Sequence, residues 1–494
     1  MAQKLNVNEE NQEQEITFSQ IYDKTEGLKD PLNRTKRDRA IAAEFQKYVP
    51  NMDIKSRRPR PRMMILTTIV VVVGMISFIA WRIYQGLYLD PLLAFYGFLV
   101  GFVVVLSFFC SYFRYKDPYE KARKNPKAYR KHPLVSVIIA TKNERFIIYD
   151  CAYSCLNSTY KNLEVVIVND GSDDEYTGKA IDELVSANPG RVFAKHLEKN
   201  EGKRYAMRHG VYMARGEIVV FLDSDTIVER DAIRRLVLVM NDDPEFGAVT
   251  GYCRALNAQK NWLTKMQDAW YHGAFSISKE MEAVLRSVSC CSGILSAYRM
   301  EALKPCIDKW AYDIFLGIPF MAGDDRQLTG FVVGGSKYTL DKNLKQWKAG
   351  YCESAISISE TPTKLLKFVN QQVRWMQSWT RCFIFTAPWY WRGRHPLATM
   401  DYYIRMILSY MAPLVAVNCL IIAPITGHWD SMYVYILGIT ALSMIFAMDF
   451  KMYNPKSGHQ WVHRVTFTFL SVSCLYFLLY YSVYSIKKNS WLTR

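Results

Sequence analysis

The chain has 494 residues, a formal net charge of +16 and an apolar content of 50%. That length leaves room for more than one domain. The basic residues crowd beside long apolar runs, where they suit anionic lipid headgroups, and the sequence has no RNP-like motif or zinc-finger spacing. We therefore expect no nucleic-acid partner. The 11 cysteines are scattered without zinc-site spacing, which favours reduced thiols inside the cell.

The N-terminal part predicts a polar tail followed by a membrane hairpin. Residues 1–62 contain few apolar side chains and are interpreted as a flexible cytoplasmic tail. Two uncharged runs, 63–81 and 91–113, are each long enough to cross a bilayer. Basic residues outnumber acidic ones on both outer flanks, including the linker at 114–133. The positive-inside rule therefore predicts a transmembrane hairpin over 63–113 with both ends in the cytoplasm.

Residues 134–360 have the pattern of an α/β domain. Four apolar runs rich in β-branched residues predict strands, and helical patterns such as 203–214 separate the first three. Strands that alternate with helices indicate βαβ units and a mostly parallel, Rossmann-like sheet. The predicted strands cover 135–141, 164–170, 217–223 and 247–253.

Three of these strands end in polar clusters, at 141–144, 169–172 and 223–225. In open α/β sheets, ligands bind outside the carboxyl ends of the strands, so the three clusters predict a nucleotide crevice at one sheet edge. Asp223 and Asp225 suit a divalent cation that also holds phosphate oxygens. A bare D-x-D is more often a plain acidic loop, but the neighbouring clusters favour the metal site here.

The runs VSVIIATKNE, VIVNDGSDD, NEGKR and FLDSDT resemble the donor half of an inverting GT-A-type glycosyltransferase. The resemblance implies a uracil contact for the first aspartate, phosphate contacts for the GKR residues, and Mg²⁺ or Mn²⁺ on Asp223 and Asp225. One departure is Lys142, where the family often has Tyr. The donor-site residues implied are Asn143, Glu144, Asp170, Lys203, Arg204 and Asp223.

The acceptor half is more specific. DIFLGIPFMAGDDRQLT at 313–329 and SCCSGILSAYR at 289–299 closely resemble hyaluronan synthases, and somewhat less closely the chitin-oligosaccharide synthases. An inverting transfer needs one base, and the resemblance places it on Asp325. A lone pair of aspartates is usually a solvated turn, but the family context favours catalysis. The acceptor-site residues implied here are Cys291, Ser292, Gly293, Asp324 and Arg326.

Residues 361–400 predict amphipathic helices that lie in the membrane interface. A basic row with a seven-residue spacing adjoins an aromatic row, and such spacings bring each row together on a helix. Gln371-Gln372-Val373-Arg374-Trp375 matches the Q-x-x-R-W motif of processive glycan synthases. The resemblance implies that Trp375 stacks on the acceptor sugar and that Gln371 and Arg374 serve the donor diphosphate. The basic row is Lys367, Arg374 and Arg381; the aromatic row is Phe368, Trp375, Trp379 and Phe383.

Residues 401–494 predict a transmembrane and re-entrant region. Of three apolar runs, at 406–426, 432–448 and 465–486, the positive-inside rule allows two spans and one segment that stays on the cytoplasmic side. The terminal WLTR resembles the W-G-T-R ending of hyaluronan synthases, with Leu in the second position as in chitin-oligosaccharide synthases. The resemblance brings Trp491, Thr493 and Arg494 to the donor site.

The expected architecture is a cytoplasmic GT-A-type domain joined to an all-α transmembrane region in a multi-pass protein of the cell membrane. The resemblance implies a processive synthase that joins sugars from UDP-GlcNAc and UDP-GlcUA and secretes the growing polysaccharide through its own membrane segments. One alternative is a chitin-type or other single-sugar β-glycan synthase. Another is a non-processive transferase that loads a lipid carrier, which the Q-x-x-R-W and W-x-T-R motifs disfavour.

Overall fold

The computed structural model describes residues 73, 90–144, 147–319, 322–334, 345–454 and 457–487. The predicted tail at 1–62, nearly all of the first apolar run and the terminal WLTR lie outside the described residues. The strands are β1 (Val135–Thr141), β2 (Leu163–Asn169), β3 (Val192–His196), β4 (Ile218–Asp223), β5 (Thr226–Val228), β6 (Phe246–Ala255), β7 (Ser296–Arg299), β8 (Ile314–Phe315), β9 (Ile318–Pro319) and β10 (Lys348–Ser359).

Three helices of the described chain precede β1, others lie between the strands up to β10, and the rest follow β10. They are α1 (Pro91–Phe109), α2 (Pro118–Ala122), α3 (Pro126–Arg130), α4 (Ile147–Leu156), α5 (Glu175–Ala187), α6 (Lys203–Met213), α7 (Ala232–Asp242), α8 (Trp262–Gly273), α9 (Lys279–Val284), α10 (Met300–Leu303), α11 (Ile307–Ala311), α12 (Asp324–Gly334), α13 (Leu365–Thr386), α14 (Pro396–Val417), α15 (Ala423–Ile425), α16 (Trp429–Tyr453), α17 (Trp461–Ser473) and α18 (Leu478–Tyr484). Single π-helical turns follow α1, α8 and α14.

The centre of the α/β domain is an eight-stranded sheet with the order β3-β2-β1-β4-β7-β6-β10-β5. Six strands run parallel, and only β7 and β5 are antiparallel to their neighbours. The mostly parallel sheet is therefore confirmed. All four predicted strands are present, with bounds that differ by at most two residues from those expected.

Two apolar clusters cover the two faces of the sheet. One contains buried side chains of α4, α5 and α7, and the other contains side chains of α6, α11 and α12. A strand that is covered on both faces can be apolar along its whole length, which explains the continuous runs in β1, β2 and β4. β7 escaped the sequence analysis because it has only four residues, and these are the last four of the predicted acceptor motif at 289–299.

The register of the sheet brings the predicted polar clusters together. Thr141 at the end of β1 pairs with Asn169 at the end of β2, and Ala140 pairs with Asp223 at the end of β4. The three loops that follow these strands therefore leave the same edge of the sheet.

Three helical segments in the described chain are long and apolar enough to cross a membrane: Pro91–Ala122, Pro396–Ile425 and Trp429–Tyr453. They include the second run of the predicted N-terminal hairpin and the first two C-terminal runs. The third C-terminal run forms a broken pair, α17 and α18, with a bend of 42° between Ser473 and Leu475. A bend of this size suits a broken span or a re-entrant segment, so the topology of this run stays a prediction.

Helix α13 carries the predicted basic and aromatic rows, but it contacts more protein than expected. Phe368 is fully buried against side chains of α8 and α17. Arg381 donates to Asp313 at 2.6 Å and is also buried. These two side chains therefore face protein rather than lipid, because α13 lies between the α/β domain and the last helices.

Candidate active site

A lysine and two carboxylates from different elements meet at the predicted sheet edge. Lys203 begins α6, and its Nζ lies 2.5 Å from Asp223 Oδ1 and 3.9 Å from Asp324 Oδ2. Burial alone would lower the pKa of Lys203, but the carboxylates of Asp223 and Asp324 outweigh burial and raise this pKa. The site therefore contains a fixed positive charge between the end of β4 and the start of α12.

Asp225 is the second carboxylate of the D-x-D cluster. Its Oδ1 accepts a hydrogen bond from Ser359 Oγ at 3.2 Å. Burial, and after it the negative charge of Asp223, raises the pKa of Asp225 to about 7. Two neighbouring carboxylates that oppose each other's ionisation suit a divalent cation, which would stabilise both in the charged form.

The predicted cation would need further ligands from the substrate or from water. Within the described ranges, no three His, Cys, Asp or Glu side chains are grouped as a metal site. This fits Mg²⁺ in particular, which proteins usually bind through one or two carboxylates together with substrate phosphates.

Gly293 lies between the predicted donor carboxylate and the predicted base. Its backbone N–H donates to Asp325 Oδ2 at 3.3 Å. A Cβ atom at this position would lie 3.4 Å from Asp223 Oδ1 and 3.7 Å from Lys203 Nζ. The two carboxylates thus flank a single glycine, and a side chain larger than alanine's methyl would extend among them.

Asp325 is held at the N-terminus of α12. Its Oδ1 accepts the N–H of Arg326 at 2.7 Å, and the side chain is only half-buried. The first turn of a helix favours negative charge. Asp325 therefore lies at a helix N-terminus with one side accessible to solvent, as the predicted base for an incoming hydroxyl would require.

Arg204, which the resemblance places beside the diphosphate, is fully buried. Its guanidinium donates to Asp324 Oδ1 at 3.2 Å and to the Ala322 carbonyl at 3.0 Å. It also lies over the ring of Trp310, whose indole N–H donates to the Asp324 carbonyl. Arg204 and Asp324 thus hold the start of α12, which carries Asp325, because a buried charge needs a charged and hydrogen-bonded partner. The phosphate contact of Arg204 stays a prediction.

The expected uracil neighbour, Asp170, is buried and holds a loop. Its carboxylate accepts the N–H groups of Glu201 at 2.8 Å and Gly202 at 3.0 Å, directly before Lys203. Burial raises the pKa of Asp170, although these two bonds act in the opposite direction. Asp170 therefore fixes the start of α6 relative to the end of β2.

The first loop of the crevice is tied to the second. Asn143 Oδ1 accepts the N–H of Asp173 at 2.9 Å, and Lys142 Nζ lies 3.4 Å from the Asp173 carboxylate. The hydrogen bond from Asn143, and after it Lys142, lowers the pKa of Asp173. Lys142, the departure from the family pattern, thus has a partner within the crevice loops. Glu144 lies at the start of α4, where its carbonyl accepts the N–H of Ile148.

The acceptor motif divides into packing and crevice residues. Cys291 is fully buried, and its backbone N–H donates to Thr329 Oγ1 at 2.8 Å. Ser292 N–H donates to Thr250 Oγ1 at 3.2 Å. The thiol of Cys291 is therefore a core group rather than a sugar contact, and Gly293 is the residue of this motif that borders the crevice.

The Q-x-x-R-W segment of α13 faces the aromatic residues of α8. Trp375 is stacked on Trp270, with 5.7 Å between the ring centroids, and lies 6.4 Å from Tyr271. Gln371 Oε1 and Gln372 Nε2 are buried without a hydrogen-bond partner among the described residues. A buried amide atom without a partner is costly, so these two groups indicate a polar ligand or water beside the motif.

Comparison with known proteins agrees with this geometry. Residues 136–306 match the family model described as glycosyl transferase family 2. A hyaluronan synthase of Streptococcus pyogenes is 26% identical over 432 residues, which cover 86% of this chain and 97% of the relative. An N-acetylglucosaminyltransferase of Azorhizobium caulinodans is 29% identical over 248 residues, covering 50% of this chain and 59% of that protein. The chain is a glycosyltransferase that is similar over most of its length to a hyaluronan synthase.

A solved structure supports the fold of this glycosyltransferase. A mannosyltransferase from Pyrobaculum calidifontis superposes with a TM-score of 0.50 at 19% sequence identity, over 76% of this chain and 99% of the other. The expected GT-A-type domain with apolar membrane helices is therefore confirmed, while the roles of individual site residues stay predictions.

Two residues of the transferase site had no sequence signal. Ser359 lies 134 positions after Asp225 and reaches it only because β10 returns to the sheet beside β5. Ser378 on α13 touches Gly323, where a Cβ atom would lie 1.7 Å from the serine hydroxyl. Gly323 has a φ of +70°, a conformation that favours glycine, so the glycine itself could have indicated an unusual backbone. Nothing in the sequence indicates that Ser378 is its neighbour.

Proposed function

We propose that this glycosyltransferase is a membrane-embedded processive synthase. In this proposal it polymerises UDP-GlcNAc and UDP-GlcUA by inverting transfer and secretes the product, with the catalytic domain at 134–360 on the cytoplasmic side. The observation that carries the proposal is the position of Gly293: its N–H donates to Asp325 Oδ2, and a Cβ atom on it would lie 3.4 Å from Asp223 Oδ1, so the predicted base and the predicted donor carboxylate lie on either side of one residue. The match to a hyaluronan synthase over 97% of its length supports the same reaction.

On the donor side, positive charge is needed where the diphosphate leaves. Asp223 and Asp225 would hold Mg²⁺ or Mn²⁺, which when bound supplies a Lewis acid that offsets the charge on departing UDP. The ammonium group of Lys203 adds a positive charge beside the predicted diphosphate position. Its contact with Asp223 orients the lysine side chain before the substrate binds.

On the acceptor side, Asp325 removes the proton from the acceptor hydroxyl. The hydroxyl oxygen attacks C1 of the donor sugar from the face opposite UDP, the bond from C1 to the phosphate oxygen breaks, and UDP leaves with the electron pair. Each carboxylate oxygen of Asp325 accepts one backbone N–H, and each keeps a lone pair for the proton. These two bonds fix the carboxylate against Gly293 while the sugars bind.

A growing polymer would extend from the crevice along α13. Trp375 presents an aromatic side chain, and the buried amides of Gln371 and Gln372 supply hydrogen-bonding groups beside it. Helix α13 also contacts the segment after α18, where Gln377 donates to the Ser485 carbonyl at 3.0 Å. A polar polymer that leaves the cell needs a protein-lined path through the bilayer, which neighbouring apolar helices could provide. Arg374, Trp491, Thr493 and Arg494 stay predicted donor contacts.

Product analysis tests the proposal. Purified protein in detergent or nanodiscs is incubated with Mn²⁺ and labelled UDP-GlcNAc, with and without UDP-GlcUA. We expect a high-mass polymer that contains both sugars and forms only when both donors are present. A polymer from UDP-GlcNAc alone would favour the chitin-type alternative, which the N-acetylglucosaminyltransferase relatives at 29% and 30% identity also support. A short, solvent-extractable product would indicate lipid-carrier transfer.

A further inference from the structure

Strand β10 contains a bulge of four residues near the D-x-D cluster. Tyr351 pairs with Thr250 of β6, and Ile356 pairs with Tyr252, so residues 352–355 all lie opposite Gly251. A Cβ atom on Gly251 would lie 2.4 Å from the carbonyl oxygen of Ala355, and only glycine allows this approach. Bulges beside active sites commonly change the direction of a side chain further along the strand.

Charged side chains from two other elements hold the bulge. The N–H of Ser354 donates to Asp117 Oδ2 at 2.7 Å, and its carbonyl accepts from Arg235 Nη1 on α7. Asp117 lies on the connection from α1 to the α/β domain, and its other oxygen caps α2 through the N–H of Tyr119 at 2.9 Å. Buried backbone groups outside the sheet ladder require such partners.

The part of β10 beyond the bulge reaches the predicted cation site. Its last residues pair antiparallel with β5, with Ser359 opposite Thr226, the residue after Asp225. Ser359 Oγ donates to Asp225 Oδ1 at 3.2 Å. A slip of one residue in β10 would turn Ser359 to the opposite face of the sheet, away from this carboxylate.

We propose that Asp117 is a positioning residue for Asp225, acting through the bulge of β10 and Ser359. A residue at the end of the membrane helix segment thereby sets the orientation of a carboxylate in the nucleotide crevice. The inference rests on the proposed function, which assigns the cation to Asp223 and Asp225.

The test compares metal-dependent UDP binding among matched variants of the full-length protein. Asp117→Ser keeps a capping oxygen for α2 but is too short to hold Ser354. Ser359→Ala removes the last contact of the same path. Asn125→Ser is the control. Asn125 lies on the same connection but does not touch the bulge. The serine keeps a capping oxygen for α3, and the variant loses a hydrogen bond to Asp242. Calorimetry with UDP, with and without Mn²⁺, and thermal unfolding are measured for each.

We expect Asp117→Ser and Ser359→Ala each to weaken UDP binding in Mn²⁺ about tenfold, as is typical for groups that orient a metal ligand. Binding without Mn²⁺ should be unchanged, and Asn125→Ser should bind UDP like the wild type. Because both changes break the same path, the double variant should bind UDP no more weakly than whichever single variant binds it less tightly. If Asp117→Ser does not fold, Arg235→Met releases the bulge from its other side and should give the same result.

Several outcomes would overturn the proposal. The first is a Ser359→Ala variant that binds UDP in Mn²⁺ as tightly as the wild type. The second is a double variant in which the losses of UDP affinity of the two single variants add. The third is an equal loss of UDP affinity with and without Mn²⁺. If the wild-type protein showed no Mn²⁺-dependent UDP binding, the proposed function and this inference would both fail. If the wild type binds UDP in a Mn²⁺-dependent way and only the variants differ from expectation, the positioning role alone is overturned.

Discussion

Asp223 and Asp325 are two half-buried carboxylates on either side of Gly293, and their partners assign them different tasks. Asp223 contacts the ammonium group of Lys203, which neutralises it and ties it to the donor side. Asp325 accepts two backbone N–H groups, those of Gly293 and Arg326. Neutral donors orient a carboxylate without removing its capacity to accept a proton, which suits a base.

Asp325→Asn tests this assignment. An amide cannot accept the hydroxyl proton, so we expect transfer to fall about 10²- to 10⁴-fold. UDP affinity in Mn²⁺ should be unchanged, because a base acts in the transition state and not in donor binding. Turnover assays and calorimetry measure the two quantities, with Asp308→Asn, an exposed partner of Arg208, as the control. Loss of UDP affinity equal to the loss of rate would move Asp325 to the donor site.

Asp225→Asn should show the opposite pattern. Replacing one carboxylate of the predicted cation site should weaken UDP binding in Mn²⁺ by at least about tenfold, while binding without metal stays the same. Calorimetric titrations at several Mn²⁺ concentrations separate these effects. Unchanged UDP affinity and unchanged metal dependence would remove Asp225 from the cation site.

At the scale of elements, the loop before α12 and the helix α13 fit together at one glycine. Gly323 has a φ of +70° and contacts Ser378, while Arg326, three residues later, lies 4.6 Å from the ring of Trp379 on the same helix. The predicted base and the Q-x-x-R-W motif are therefore parts of one packed unit. A shift of α13 would move the start of α12, which carries Asp325.

Gly323→Ala tests that unit. The added methyl group would overlap the Ser378 hydroxyl and strain the backbone, so we expect a loss of turnover. Ser378→Gly in the same chain should restore part of the activity, because it removes the overlap but leaves the backbone strain. Gly317→Ala is the matched control, since Gly317 has a φ of +84° but, among the described residues, no atom within 4 Å of an added Cβ. If Ser378→Gly restored nothing, the contact with α13 would not be the cause.

At the scale of the whole molecule, a buried polar chain joins the α/β domain to the apolar helices. His272 on α8 shares hydrogen bonds with Tyr252 on β6 and with Asp449 on α16, each at 3.0 Å. Tyr112, after α1, donates to the other oxygen of Asp449. Because replacement of His272 would break two buried hydrogen bonds at once, this polar chain helps to hold the domain against two candidate membrane spans.

This chain predicts a pH dependence of stability. Burial lowers the pKa of His272, although the bond to Asp449 acts in the opposite direction. The unfolded state then binds the proton more readily than the folded state, so the stabilisation is complete above the unfolded pKa of 6.5 and is lost as pH falls below it. We expect the unfolding temperature to decrease between about pH 7.5 and about pH 5.5.

His272→Gln should lower the unfolding temperature at neutral pH and reduce its change with pH. His209→Gln serves as the control, because His209 lies outside the buried chain and contacts Glu201. Thermal unfolding in one detergent at both pH values measures the effect. An equal pH dependence in the His272 variant and the wild type would assign the effect to other groups.

The sequence by itself predicted those features that depend on residues adjacent along the chain. Runs such as 135–141 are apolar on both faces, as strands that are buried on both faces of a sheet are. The run at 91–113 is long and apolar enough to cross a bilayer. The polar residues after β1, β2 and β4 meet at one edge because parallel strands end there. Asp223 could be selected for the same reason, whereas Lys203 and Asp325 were selected from the family resemblance.

Only the tertiary structure decided which of the selected residues face the crevice. Arg204 and Cys291 occur within the expected motifs but are fully buried, because α11, α12 and β7 pack over them. Ser359 and Asp117 carry no recognisable pattern and acquire their place from the return of β10 to the sheet. Local pattern fixes the element a residue belongs to, whereas its partners come from segments more than a hundred positions away, which the local sequence does not encode.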